Sequence, residues 1–359
     1  MMGGMQLPID VPVAPMLARL VTEVPVEEIR RGTVFEPKWD GFRCIILRDG
    51  DQIELASRMN KSLTAYFPEV IEKVRETLPP RCVVDSELIV PTGQLGAQRL
   101  DWDALSARVH PSLRKVAKLA AQTPAEVVAF DLLSLGEDDL TNEPLWRRRS
   151  LLQDVVAPGS GMHVTAQADD PEIAKRWFDS FAGYGFDGVM IKRRDSVYEY
   201  GRRSWLKMKQ ARTAEAVVVG FRRNPRYRGV GVVLLGMYGA DNDSLYYVGA
   251  VASFTPQQRV DLADRLGGLA SDPPVGEQPI DLPAQGTLAQ LRSVPVRPEL
   301  VMEVEFDQLD GRQFRHAARF RRWRPDRDPM SCRLDQLDVG SSYDLAEMLG
   351  STPVSPPSP

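Results

Sequence analysis

The texture of the sequence changes near residues 211–214, and this change limits the fold more than any single motif. Before it, apolar runs of strand length alternate with segments of helical spacing. Residues 42–47 and 53–56 flank Asp49-Gly50-Asp51, and an Asp-Gly between two apolar runs signals a hairpin. Residues 67–78 have helical spacing and stop before Pro79-Pro80. Residues 100–109, 112–121, 146–155 and 171–183 read as further helices, and 82–90, 127–133, 186–192 and 205–209 as strands. After the change short strands dominate, at 216–222, 231–238, 245–252 and 301–306. A single helix, 255–266, opens on the N-cap Thr255 with Pro256 in first position. Short strands with one helix among them suit a small barrel of the OB type.

With 359 residues the chain has length for two ordinary domains. No apolar stretch approaches the ~20 residues of a membrane helix, and residues 1–10 lack the charged and apolar regions of an export signal. A cytoplasmic protein, without membrane contact, is the expectation. The three cysteines form no CxxC pair, so a four-cysteine zinc module is excluded by count. Cys44 and Cys82 precede Ile45-Ile46 and Val83-Val84 and read as core strand residues. His110, His163 and His316 are scattered, which argues against a histidine-based metal site or triad. The tail from residue 336 ends in the Pro/Ser-rich run 351–359, which has too little apolar content to pack and is expected to be disordered.

Net charge is −4, but it is unevenly spread. Residues 192–228 hold twelve Lys/Arg against Asp195, Glu199 and Glu215, a net +9. Residues 312–327 hold seven Arg against Asp326, a net +6, which leaves −19 for the rest. Aromatic residues, among them Tyr198, Trp205, Phe320 and Trp323, are interleaved with this charge. Two concentrated basic segments on an acidic chain suggest local contact with a polyanion.

The positive charge is written as 36 Arg and only 9 Lys. Arg stays protonated, whereas Lys loses its proton where its surroundings lower its pKa and can then act as a nucleophile. The lysine at the end of an apolar run in Glu36-Pro37-Lys38-Trp39-Asp40-Gly41-Phe42-Arg43 therefore stands out. So do the acids within the strand Asp85-Ser86-Glu87-Leu88, because an acid in an apolar strand is costly unless paired. Lys207 and Lys209, at i and i+2, face one side of a strand and together call for an anion.

Taken in order, these segments resemble the covalent nucleotidyltransferase superfamily of ATP-dependent DNA ligases, RNA ligases and capping enzymes. They are most similar to the bacterial ATP-dependent DNA ligases of the ligase C type and to the ligase domain of ligase D, over residues 15–340. The resemblance implies an α+β fold. A nucleotidyltransferase domain of ATP-grasp-like architecture, with mixed antiparallel sheets and helices, would span 1–212, and an OB-fold β-barrel 213–335, with 336–359 as tail. It implies that Lys38 takes AMP from ATP, with Glu36 and Pro37 beside the nucleotide and cations near Lys38 disfavouring its charged form. Arg43 and Arg58, the latter in Ser57-Arg58-Met59-Asn60, would bind the nucleotide and the 5′-phosphate of a nick. Glu87 would face the ribose and a metal, with Ser86 standing where relatives have Gly.

Phe130, in Val128-Ala129-Phe130-Asp131, would stack on adenine, although a Phe in an apolar strand is ordinarily core. Asp187, in Asp187-Gly188-Val189-Met190-Ile191-Lys192, would hold the catalytic metal where many members have Glu. Lys207 and Lys209 would meet the α-phosphate. Asp326 and Arg327, closing the arginine run, would orient pyrophosphate, and Arg315, Arg319 and Arg322 would contact DNA. The implied cofactors are ATP and Mg2+, with Mn2+ as the alternative ion. The implied substrate is nicked duplex DNA, joined by a monomer in repair, recombination or replication beside a repair polymerase or DNA-end-binding protein. An RNA ligase, a capping enzyme and a non-catalytic DNA-end scaffold of the same fold remain open on these residues. An NAD-dependent ligase does not, since it would need a zinc module and a further domain.

Overall fold

The computed structural model describes residues 4–25, 32–93, 98–110, 112–156, 161–180, 186, 188–209, 212–223, 229–240, 244–270, 293–307 and 309–337. Two compact units are present, the first reaching Gln210 and the second running from Ala211 to Val339.

In the first unit the elements are β1 (Ala18–Val21), β2 (Thr33–Pro37), β3 (Phe42–Asp49), β4 (Gln52–Ser57), α1 (Pro68–Thr77), β5 (Arg81–Ile89), α2 (Leu113–Gln122), β6 (Glu126–Leu135), α3 (Leu145–Val155), β7 (Met162–Val164), α4 (Pro171–Ser180), β8 (Val189–Arg193) and β9 (Trp205–Met208). They build two sheets, one in the order β1-β9-β8-β2 and one in the order β7-β6-β5-β3-β4. The β3–β4 hairpin turns at Gly50, whose φ of 62° is cheap only for glycine. Helix α1 begins with Pro68 at its first position and stops before Pro79.

Side chains alternate across the second sheet. Cys44, Ile46, Cys82 and Val84 face the cluster that includes Val70 and Val74 of α1. Ile45, Leu47, Val83 and Phe130 face the other way and meet Trp205, Met190 and Ala18 of the first sheet. The two sheets are thus held face to face, with both strand cysteines fully buried as free thiols. The helix expected over 100–109 is shorter. Arg99–Leu100 pairs as a strand with Pro91–Thr92, and Asp101 caps a helix of only Trp102–Ser106 by accepting from Ala104 N.

The second unit contains β10 (Arg212–Arg223), β11 (Val230–Tyr238), β12 (Leu245–Val251), α5 (Pro256–Gly267), β13 (Val301–Phe306) and β14 (Arg319–Trp323). Thr255 and Gln258 cap α5 reciprocally. The sheet runs β12-β11-β10-β13-β14. Among the described residues no continuous ladder closes it into a barrel, but an isolated bridge between Val251 and Ala318 joins its two edges. Strand β14 coincides with the arginine run, and its Phe320 and Trp323 pack on the core of this unit.

Candidate active site

A cavity of about 180 Å³ opens in the first unit, walled by residues of both sheets. The first sheet supplies Glu36 and Pro37 from the end of β2, Lys38 just after it, Lys192 from β8, and Trp205 and Lys207 from β9. The second supplies Arg43 from β3, Glu87 from β5 and Phe130 from β6, with Arg58 just past β4. Residues spread over the sequence thereby share one wall.

Lys38 leaves its strand on a fixed backbone. Its N–H donates to the Gly188 carbonyl at 2.9 Å. The next side chain, Trp39, is buried, donates from Nε1 to Thr165 Oγ1 at 2.7 Å and meets Phe186 edge-on at 4.7 Å. Gly41 donates its N–H to Glu87 Oε1 at 3.2 Å, and a Cβ there would lie 2.0 Å from the Leu88 carbonyl oxygen. Gly188, with φ of 129°, faces Met208 just as closely. Only glycine admits these two approaches, which bring the lysine turn against β5 and against the end of β9.

Glu87 lies in this packed corner. Burial raises its carboxyl from 4.5 to about 7, against the opposing pull of Lys38 and Arg43. Ser86 turns to the opposite side of the strand and donates its hydroxyl to the Cys44 carbonyl at 2.8 Å, so it does not narrow the cavity. Arg43 donates from Nε and Nη2 to the fully buried Asp85 at 2.8 and 2.5 Å. Burial works against the guanidinium's charge, but Asp85 overcomes this and raises its pKa. Asp85 also accepts from the Tyr198 hydroxyl at 2.6 Å, which in turn accepts from Met16 N. The bonds to Asp85 use Nε and Nη2 of Arg43, and Nη1 takes no part in them.

Phe130 is only 8% exposed. The Arg43 guanidinium and the Lys192 ammonium lie 5.2 and 4.7 Å from its ring centroid. Lys192 is a site residue that local spacing did not single out. Its ammonium is 2.6 Å from Glu36 Oε2 and 4.2 Å from the Trp205 ring centroid, and Gln167 donates to the other Glu36 oxygen at 3.0 Å. The signal was available in composition: a scarce lysine inside an apolar strand of an arginine-rich chain.

Lys207 lines the cavity, whereas Lys209 follows the end of β9 against Gly188 and is absent from the wall. Asp187 lies outside the described residues. Among the described residues no group of three His, Cys, Asp or Glu side chains forms a ready cation site. Glu87, in a cavity also lined by Lys38, Lys192 and Lys207, still suits Mg2+, which binds through one or two carboxylates, substrate phosphates and waters.

The remaining candidates belong to the second unit. Arg324 holds Asp326 at 2.8 Å, and this hydrogen bonding keeps the Asp326 carboxyl down at about 2. Arg327 pairs with Glu215 at 3.0 Å, Arg322 with Glu303 at 2.8 Å and Arg319 with Glu305 at 3.8 Å. Arg315 precedes β14.

The chain matches the ATP dependent DNA ligase domain over residues 15–209 and the ATP dependent DNA ligase C terminal region over 226–327. It is 42% identical to DNA ligase C1 of Mycolicibacterium smegmatis over 351 residues, covering 96% of this chain and 99% of that one. Identity to DNA ligase C of Mycobacterium tuberculosis is 41% over 368 residues, with the same two coverages. The multifunctional non-homologous end joining protein LigD of M. smegmatis is 33% identical over 88% of this chain and 39% of its own length. A solved structure from a study of Lig E DNA ligases shares the fold, with a TM-score of 0.53 at 17% identity, covering 87% of this chain and all of that one.

Proposed function

Because the chain belongs to the ATP-dependent DNA ligases, we propose that it seals nicks in duplex DNA through a lysyl adenylate on Lys38. Family membership favours DNA joining over the RNA-ligase, capping and scaffold alternatives. The observation that supports the site is the single cavity that gathers Lys38, Glu87, Phe130, Lys192 and Lys207.

In the first step the neutral Lys38 amine attacks the α-phosphorus of ATP. A P–N bond forms, the α–β P–O bond breaks, pyrophosphate leaves and the amine gives up a proton. Lys207, with Arg43 and Arg58, supplies fixed positive charge where phosphate oxygens gain negative charge. Phe130 is the residue proposed to meet the base, and the Glu36–Lys192 pair fixes the strands beneath it. In the second step an oxygen of the nick's 5′-phosphate attacks the same phosphorus, breaking P–N and returning the amine. In the third the 3′-hydroxyl attacks the 5′-phosphate and AMP departs.

Glu87 and Asp187 are the residues proposed to hold Mg2+, which when bound neutralises phosphate oxygens and orients the leaving group. Asp326 and Arg327 are proposed to handle pyrophosphate, and Arg315, Arg319 and Arg322 to meet DNA phosphates. We assign the first domain to 1–212 and the OB domain to 213–335, acting as a monomer in repair, in the compartment that holds the DNA and beside a polymerase or end-binding protein. Mass spectrometry of the protein after incubation with ATP and Mg2+ tests the core of this reading. A lysine-linked AMP at position 38 is expected, and a protein that never gains it overturns the proposal.

A further inference from the structure

The arginine run of β14 is not a bare basic surface. On β13, Met302, Val304 and Phe306 face the core, so Glu303 and Glu305 face the other side of the sheet. Register places Glu303 opposite Arg322 and Glu305 opposite Arg319 on β14, and Glu215 of β10 opposite Glu303. Each carboxylate is covered. Arg319 and Arg321 close on Glu305 at 3.8 and 3.1 Å, Arg322 on Glu303 at 2.8 Å, and Arg324 lies between Glu303, at 3.6 Å, and Glu215. The glutamates are 17–20% exposed, whereas Arg319, Arg321 and Arg322 are 53–71% exposed. Five arginines (319, 321, 322, 324 and 327) thus meet four carboxylates, those of Glu215, Glu303, Glu305 and Asp326.

Stability is a poor explanation for this arrangement. Like charges directly opposite on a ladder repel, and exposed ion pairs add little. The arrangement has a clearer effect on polyanion binding. An arginine paired with a carboxylate keeps donors to spare, but the pair is neutral, so the full attraction of its charge reaches a phosphate only by exchange. The cation released from DNA is then offset by one drawn to the vacated carboxylate, so net counterion release is small.

We propose that Glu303 and Glu305 are specificity-determining residues that compete with the phosphodiester backbone for Arg319, Arg321 and Arg322, and so weaken the grip of this surface on unbroken duplex. Binding at a nick, which adds contacts of its own, tolerates the competition, and intact DNA is released. This inference rests on the proposed DNA-ligase reading and on those arginines meeting DNA.

The test is the Glu303→Gln/Glu305→Gln double variant of the full chain, with fluorescence anisotropy on unbroken and nicked duplexes across a salt series. Glutamine keeps the volume and removes the charge. Removing two carboxylates leaves the three arginines with two more net positive charges, which add about 1.8 to the salt slope, so a fourfold rise in salt costs the variant roughly twelvefold more affinity than it costs the natural protein. At low salt the variant is expected to hold unbroken duplex more tightly, to discriminate less between nicked and unbroken DNA, and to lose multiple-turnover rate while single-turnover sealing persists.

Glu72→Gln/Glu137→Gln removes two charges from exposed pairs with Arg75 and Arg81 in the first unit and serves as the control for net charge. A double variant whose slope and affinity match the natural protein or this control overturns the inference. If the double variant fails to fold, each single variant is expected to give half the slope change, and none from either overturns the inference equally. A variant that forms adenylate and seals with an unchanged slope defeats the inference alone, whereas a natural protein that forms no adenylate defeats the ligase reading.

Discussion

Glu36 and Lys192 meet at 2.6 Å with 2% and 1% of their side chains exposed, one at the end of β2 and the other on the neighbouring strand β8. Buried pairs of this kind are fragile to one-sided change, because the surviving charge is left without compensation.

Lys192→Met is therefore expected to lower the stability of the first unit by about 3–5 kcal/mol. Glu36→Gln/Lys192→Met, which removes both charges, is expected to recover much of that loss. Urea unfolding of the two variants and the natural protein checks the cycle, and equal loss in both variants contradicts it.

Lys38→Ala should abolish adenylate formation and sealing of a nick that carries a free 5′-phosphate. It should still join a nick supplied with a preformed 5′-adenylate, since the final step does not use the amine. Mass spectrometry and gel assays on the two substrates read the two halves of this prediction.

Gly41→Ala places a methyl group where the Leu88 carbonyl already lies 2.0 Å away. The turn must shift, carrying Lys38 and the N–H that Glu87 accepts. A displacement near 1 Å at a reacting group costs on the order of a hundredfold in rate, so adenylation should fall by about that factor. Stopped-time labelling with ATP measures it, and a rate within twofold of the natural protein excludes the effect.

Glu87 gives a pH dependence whose sign is fixed by its direction. Its carboxyl titrates at about 7 when folded against an ordinary 4.5, so the folded state binds the extra proton between those values. In metal-free protein this favourable contribution is complete below pH 4.5 and disappears as pH rises through 7. Its size is about 3 kcal/mol. Glu87→Gln removes the titration, so the stability difference between variant and natural protein should shift in the variant's favour from pH 5 to pH 8 in EDTA. Denaturant midpoints at the two pH values decide it.

Local patterns carried much of the fold. The hairpin at Gly50, the helix stopped by Pro79 and the Thr255 cap all appear where short-range chemistry placed them, because each depends on residues only a few positions apart. The Lys38 turn and Glu87 were legible for the same reason, each being odd within its own segment. Lys192 was passed over because its meaning lies in Glu36, Phe130 and Trp205, which reach it only through the sheets. The net +6 of residues 312–327 looked like an open basic surface because its counter-charges, Glu215, Glu303 and Glu305, come from other strands. Strand β14 itself was hidden by the same arginines, since its alternation is marked only by Phe320 and Trp323.

The anchoring of Trp39 has a consequence for how far the reaction can reach. Its indole is fastened to Thr165 and Phe186, and the preceding peptide is fastened to Gly188, so the main chain at Lys38 is a fixed pivot. The nitrogen proposed to react then swings on its own four-carbon stem. Swing radius, rather than loop motion, sets which atoms in the cavity it can meet.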